Sequence, residues 1–404
     1  MKKVELLCPV GNYKRLKIAI NYGADAVYLA GKRFGLRAGA DNFSKAELAR
    51  AAKFVHAAGK KMYVTLNIVA HEDDLKQLPP YVKYLQKIGV DAVIVSDLGV
   101  ALVVNENSSI PIHVSTQANV LNSGAAKVWQ SLGATRIVLA RETSIAEIKK
   151  IHKKLPKMEL EAFVHGAMCI AHSGRCLLSN VFTGRDANKG ECVQACRFAY
   201  DLVRSNQPDQ AYPIEEDVYG TYILNSKDMC LIEHLKELAD SGVCSFKIEG
   251  RMKSDYYVAN ITNAYRRTID ALNKNQLPPF DMVEETKKSS HREYTTGFYF
   301  GDNHKTNLKS SGTVQTHDVV AEVTKPIGKN QALVSQRNKF VVGDVVEVLS
   351  PTENFLKTFE ITQILTPDGL QKEAAKAAQE EVIINCPFRL AAGDMLRKAK
   401  NMQK

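Results

Sequence analysis

Tyr22-Gly23-Ala24-Asp25-Ala26-Val27-Tyr28-Leu29-Ala30 is the stretch on which the fold turns. An amphipathic run ends at a glycine, and a short apolar run follows. Glycine readily takes the left-handed conformation that closes a helix. A short apolar run bounded in this way reads as a strand buried on both faces of a parallel sheet. The unit recurs as Ile88-Gly89-Val90-Asp91-Ala92-Val93-Ile94-Val95-Ser96 and as Leu132-Gly133-Ala134-Thr135-Arg136-Ile137-Val138-Leu139-Ala140. It returns as Ser241-Gly242-Val243-Cys244-Ser245-Phe246-Lys247-Ile248-Glu249, with a looser copy at Ala58–Asn67.

Working outward from these copies gives eight buried strand candidates: 4–10, 26–30, 62–69, 92–96, 112–117, 136–141, 160–165 and 245–250. Helical periodicity fills most of the gaps, at 13–22, 45–58, 77–88, 124–132 and 144–153, and Ser44 with Glu47 has the form of a capping box. Eight strands, most followed by a helix, predict a TIM-like (β/α)8 barrel, with a doubly wound open sheet as the alternative. Residues 1–275 are expected to form this barrel, interrupted before its last strand by a cysteine-rich insert at 166–240. Such an insert far exceeds ordinary loop lengths and reads as a lid or cofactor holder. Residues 276–312 read as an extended linker and 313–404 as a small C-terminal β-barrel domain, with short strands near 319–325, 331–335, 345–349, 359–365, 382–385 and 395–398.

In such a barrel the chemistry sits at the C-terminal ends of the strands. Polar residues collect there: Arg37, Asn67, Asp97, Ser115-Thr116-Gln117, Arg141-Glu142, His165, and Lys247, Glu249 and Arg251. Any one of them could simply cap or solvate a loop, so the case rests on the collection. The seventh strand opens into a loop carrying Cys169, Cys176, Cys192 and Cys196, and Cys230 follows, five of the chain's eight cysteines. The spacing is neither that of a zinc finger nor of a ferredoxin run. Clustered thiolates suit zinc or an iron–sulfur cluster, and buried free thiols are the plainer reading.

Hydrophobic content of 45% and charge of 24% are ordinary for a globular chain. No run approaches the roughly 18 apolar residues of a membrane span, and the start of the chain lacks a signal-peptide pattern, so a cytoplasmic location without disulfides is expected. The net charge of +10 favours a polyanionic partner, nucleic acid first. Hydrolytic engines are missing: His71-Glu72-Asp73-Asp74-Leu75 lacks the second histidine of a zinc protease, and there is no Gly-x-Ser-x-Gly elbow and no phosphate loop.

Glu161-x-Phe163-x2-Gly166-Ala167-Met168-Cys169-x4-Gly174-x-Cys176-x-Leu178-Ser179 resembles the signature of the collagenase-like peptidase family U32. The resemblance continues through Gly184-Arg185-Asp186, Cys192-x-Gln194-x-Cys196-Arg197, Asn225-Ser226-Lys227-Asp228, Phe246–Lys253 and Tyr294–Tyr299, and covers nearly the whole chain. By length and C-terminal domain it is most similar to the subgroup of tRNA hydroxylation proteins. That resemblance implies hydroxylation of a wobble uridine to 5-hydroxyuridine in the anticodon region of tRNA. It further implies an iron–sulfur cluster, expected as 4Fe-4S, and prephenate or a similar small carboxylate as a required metabolite. Carried over residue by residue, it implies Cys169, Cys176 and Cys192 as metal ligands, with Cys230 as the fourth and Cys196 in reserve. His165, Glu249 and Lys247 are the expected catalytic groups, and Arg37, Arg141 and Arg251 the expected clamps on a carboxylate substrate. A homo-oligomer, or a hetero-oligomer with a family paralogue, is a further expectation. The competing readings are a metal-dependent collagenase-like peptidase and a non-catalytic tRNA-binding partner with a structural cluster.

Overall fold

The computed structural model describes residues 1, 3–36, 41–169, 176, 178–195, 203–204, 207–211, 216–217, 220–221, 227–301 and 313–400. Eight parallel strands close into a barrel: β1 (Glu5–Pro9), β2 (Ala26–Leu29), β3 (Lys61–Leu66), β4 (Ala92–Val95), β5 (Ile112–Val114), β6 (Ala134–Val138), β7 (Glu159–Ala167) and β8 (Val243–Ile248). β8 pairs with both β1 and β7, which completes the circle and leaves no open edge in the ring. The closed ring settles the choice between barrel and open sheet.

Alternation along each strand divides the core in two. Outward residues such as Leu6, Val27, Val64, Val93 and Ile137 pack against Leu16, Leu48, Leu85, Val104 and Ile151 of the surrounding helices. Both expected and unexpected helices appear in that shell. Ser44–Glu47 and Ser144–Glu147 form full capping boxes. The Leu98–Asn107 helix, apolar on every side, carried no amphipathic signal from which to read it. The Glu72–Lys87 helix begins earlier than the periodicity suggested, because Pro79-Pro80 sit in its body rather than in the first turn that prolines favour.

Inside the barrel, Leu7, Ala26, Tyr28, Tyr63, Ala92 and Ile94 form a small separate apolar cluster. The rest of the interior is charged, which continuous apolar runs did not suggest. Glu161 is fully buried, with Lys247 Nζ 2.7 Å from one carboxylate oxygen and Arg136 Nη1 3.0 Å from the other. Arg136 also reaches Glu5 at 2.6 Å and Glu159 at 2.8 Å. Tyr63 donates to Glu5 at 2.7 Å, and Ser245 Oγ donates to Glu5 and Glu161 at 3.0 and 3.2 Å. Burial alone would raise the Glu161 carboxyl, but Lys247 and Arg136 outweigh it and hold it at about 2.

Two short strands extend the barrel sheet. Asp228–Cys230 runs antiparallel to β7, and Tyr294–Thr295 runs parallel to Asp228–Met229. The segment expected as a linker is therefore built into the barrel. It also carries a helix, Met282–Lys287, packed on the long Asp255–Asn273 helix. The C-terminal residues form an eight-stranded antiparallel sheet that curls around Val320, Val334, Phe340, Val348, Ile364 and Leu396. The expected strand 359–365 is split into Thr358–Glu360, at one edge of that sheet, and Ile364–Leu365, next to last at the other. Arg397, with no exposed surface, crosses from this sheet to Glu285 at 2.7 Å and to Asn260 at 2.9 Å. Among the described residues, no helix is long and apolar enough to cross a membrane.

Glu161→Gln leaves Arg136 and Lys247 buried without their shared anion and is expected to lower stability by about 3 kcal/mol in urea denaturation. A depressed carboxyl stabilises the fold fully above its unfolded value near 4.5 and loses that contribution as pH falls toward about 2. The acid limb of the stability curve should accordingly be shallower in Glu161→Gln. Coincident acid limbs would show that Glu161 carries no such linkage.

Candidate active site

The C-terminal ends of the barrel strands surround a chamber of about 350 Å³. Its floor is Lys247, whose ammonium group lies 4.5 Å from the Tyr28 ring centre and is tethered to Glu161. Lys247 was expected on the rim as a catalytic group. Strand alternation instead sets it inside the barrel, buried, with only the chamber above it. Arg141, just past β6, lies 4.0 Å over the Phe163 ring and 3.9 Å from Glu249. Glu249 is also 3.4 Å from the Tyr28 hydroxyl. Arg251 donates to the Leu36 carbonyl at 2.7 Å and to Asn42, so the loop after β2 fixes its guanidinium. Gly11 permits the chain to pass here, since a Cβ on it would stand 2.5 Å from the Arg251 carbonyl oxygen.

The opposite wall is polar and uncharged. Asn67 Nδ2 donates to Gln117 Oε1 at 2.8 Å, and Ser115 Oγ donates to the same oxygen at 2.5 Å. Thr65, next along β3, lines the chamber with a buried hydroxyl that has no hydrogen-bond partner among the described residues. An unmet buried donor facing a cavity marks a place for a polar ligand.

Three thiols line the same chamber: Cys169, Cys176 and Cys192. The Leu178 backbone N–H donates to Cys176 Sγ at 3.4 Å, and the Ser179 hydroxyl to Cys192 Sγ at 3.9 Å. The donor set is soft and suited to an iron–sulfur cluster or zinc. Among the described residues no three His, Cys, Asp or Glu side chains already converge on one metal position. Cys196 follows Ala195, itself a lining residue, and lies outside the described residues, as does Arg37.

Two expected site residues are placed elsewhere. His165 has the same parity as Glu161 and Phe163 and should face the barrel interior. A register shift on β7 prevents this: Phe163 pairs with Lys247, but His165 pairs with the next residue, Ile248. Such a bulge turns the following side chain to the other face. His165 therefore points outward among Tyr257, Tyr265 and Tyr294, its Nδ1 3.2 Å from the Tyr265 hydroxyl. Burial there pushes its pKa down to about 3, so it is neutral, and its ring does not line the chamber. Cys230, opposite His165 in the ladder, shares this outer environment. Its thiol is 4.0 Å from the same hydroxyl and does not line the chamber. Cys169 is four residues further along the chain than His165, a reach of roughly 13 Å on an extended chain.

Two charged residues that line the chamber were missed, Lys253 and Arg292. Arg292 is delivered by the two-residue strand Tyr294–Thr295. The aromatic, glycine-punctuated run 291–301 suggested an extended segment, but nothing in it indicated an edge position beside Asp228–Cys230.

Comparison with known proteins agrees with this architecture. The profile described as Peptidase family U32 matches residues 11–309, and that of the Peptidase family U32 C-terminal domain matches 315–397. The "tRNA hydroxylation protein P1" of Bacillus subtilis is 38% identical, covering 99% of this chain and 96% of its own. The "tRNA hydroxylation protein P" of Escherichia coli is 38% identical and covers 89% of each chain. The "23S rRNA 5-hydroxycytidine C2501 synthase" of Escherichia coli is 36% identical over 87% of this chain and 53% of its own. On these matches, and on a closed barrel followed by a curled antiparallel sheet, the chain belongs to peptidase family U32.

Proposed function

We propose that this chain hydroxylates RNA, replacing the C5–H of a wobble uridine in tRNA by C5–OH. In this reading it uses a 4Fe-4S cluster and takes oxygen from prephenate or a similar small carboxylate. The observation that carries the proposal is the convergence of three thiols and five cationic side chains, Arg141, Lys247, Arg251, Lys253 and Arg292, on one chamber at the barrel mouth. Relatives named for hydroxylation of tRNA and of rRNA at substantial identity support RNA as the substrate. A net charge of +10 supports a polyanionic partner bound through phosphate contacts. An anticodon base is unpaired and can be turned out of its stack at low cost.

The division of labour follows from the geometry. Arg141 and Arg251 present planar guanidinium groups suited to carboxylates. Glu161, 2.7 Å away, fixes the Lys247 side chain in place on the floor. Glu249 lies between Arg141 and the Tyr28 hydroxyl, where its carboxylate can accept the proton released from C5. His165 has no part in this chemistry, since its ring faces the tyrosines outside the barrel. Cys169, Cys176 and Cys192 would hold the cluster, and we take Cys196 as the fourth ligand ahead of Cys230, whose thiol is 4.0 Å from the Tyr265 hydroxyl and does not line the chamber. When bound, a cluster of this kind supplies one-electron chemistry to the donor held beside it. The peptidase reading has less support: among the described residues no histidine lines the chamber to activate a cysteine or serine.

Nucleoside analysis of tRNA tests the activity. A strain lacking this chain should lose 5-hydroxyuridine derivatives, wild type should restore them, and Cys176→Ala should not. Undiminished 5-hydroxyuridine in the deletion, with no redundant route, sinks the proposal. Iron analysis after anaerobic purification tests the cage. Wild type should carry about four irons per chain, Cys169→Ser and Cys192→Ser should lose them, and Cys230→Ser should retain them. Loss of iron in Cys230→Ser would return that residue to the cage.

A further inference from the structure

We propose that Arg292 is an additional anion clamp of the chamber, and that its ligand is a carboxylate of the small co-substrate. This rests on the reading that the chamber holds such a carboxylate. Arg292 lines the chamber but is only 8% exposed. A guanidinium stays charged at any physiological pH and brings five donors into this buried position. Its acidic neighbour satisfies them poorly. Arg292 Nη1 is 3.5 Å from Asp228 Oδ1, too long for a good hydrogen bond. Among the described residues neither that oxygen nor Arg292 Nε has a hydrogen-bond partner. The other oxygen of Asp228 is occupied by the main chain, accepting from the Arg292 backbone N–H at 3.1 Å. Asp228 thus places the arginine without saturating it. A buried cation with unmet donors at the wall of a cavity is half of an ion pair, and an anion in the cavity completes it.

The route by which Arg292 arrives fixes its direction of approach. Asp228 pairs with Ala167 on β7 and donates its N–H to the Glu293 carbonyl at 3.0 Å. Arg292 therefore enters beside Ala167 and Cys169, on the thiol-bearing side. Arg141 and Lys247 come from β6 and β8. A ligand with two carboxylates needs cations on two sides, and Lys247 already has Glu161 at 2.7 Å. Arg292 supplies the second side and brings one carboxylate next to the cysteines. The residue also belongs to a segment held from the far domain, through Glu285 to Arg397 and Lys288 to Glu347 at 2.7 and 2.8 Å.

The test is direct binding of prephenate to the full-length, anaerobically purified protein by titration calorimetry, with wild type, Arg292→Gln and Arg292→Lys. Arg292→Gln should raise Kd about tenfold or more, and Arg292→Lys less, because it keeps the charge but loses the fork. Iron content and melting temperature should match wild type in both. Unchanged Kd in Arg292→Gln, with wild type binding, overturns this assignment alone. A parallel fall in affinity and iron content also overturns it, making Arg292 a support of the cage. No prephenate binding by the wild type overturns the co-substrate reading itself, and the assignment with it.

Discussion

Inside a closed parallel barrel a carboxylate can stay charged only when cations meet it on both sides, and Glu161 meets that condition with Arg136 and Lys247. The consequence reaches both ends of the barrel. Toward the N-terminal ends of the strands, Arg136 gathers Glu5 and Glu159 and ties β1, β6 and β7 across the interior. Toward the C-terminal ends, Lys247 is pinned under the chamber, where its charge contributes to the field that a ligand would experience. A wholly apolar barrel would close as well, but its floor would hold no fixed cation. The charge at the bottom of the site is thus inherited from the way the barrel interior is filled.

The second constraint is the bulge in β7. Before it, Glu161 and Phe163 face inward; after it, His165 faces the helices, and Ala167 and Cys169 line the chamber. The carbonyl of Val164, at the bulge, accepts from the Tyr265 hydroxyl at 2.7 Å and from the Leu231 N–H at 2.9 Å. One strand in this way contributes to the interior, to the outer packing and to the thiol loop in turn. The separation of Cys230 from the other thiols follows from the same feature, since Cys230 lies opposite His165 in the ladder.

This explains what the sequence could and could not reveal. All eight strands were legible, because five repeat a glycine stop and an apolar run and the other three are short apolar runs that local physics reads without help, and their number pointed to a barrel. Arg141, Lys247, Glu249 and Arg251 were legible as strand-end polar residues, and the cysteines as a cluster. The facing of His165 was not, because a bulge held by Tyr265, a residue far along the chain, reverses the parity that local alternation predicts. Arg292 was not, because a two-residue strand leaves no periodic trace. The buried charges of the interior were present as Glu161 and Arg136 in plain view. Their pairing depends on strand register, which the sequence of one strand does not carry.

The segment that reads as a linker is the piece that joins the two domains physically. Its helix meets the curled sheet through Glu285 and Arg397, its next residue Lys288 meets Glu347, and its strand then docks beside Asp228 and Met229. Arg397 is fully buried and also bonded to Asn260, so a hinge at this point would strand a charged group away from water. The C-terminal sheet is therefore fixed relative to the chamber rather than tethered by a flexible arm. If that sheet contacts the phosphates of an RNA, a rigid junction sets the distance between those contacts and the barrel mouth. An enzyme acting on one base of a large substrate needs such a fixed distance more than an extensive contact surface. A peptidase has no comparable need for an anion-binding ruler, and the cation-rich lining of the chamber, with no histidine among the described residues, points the same way.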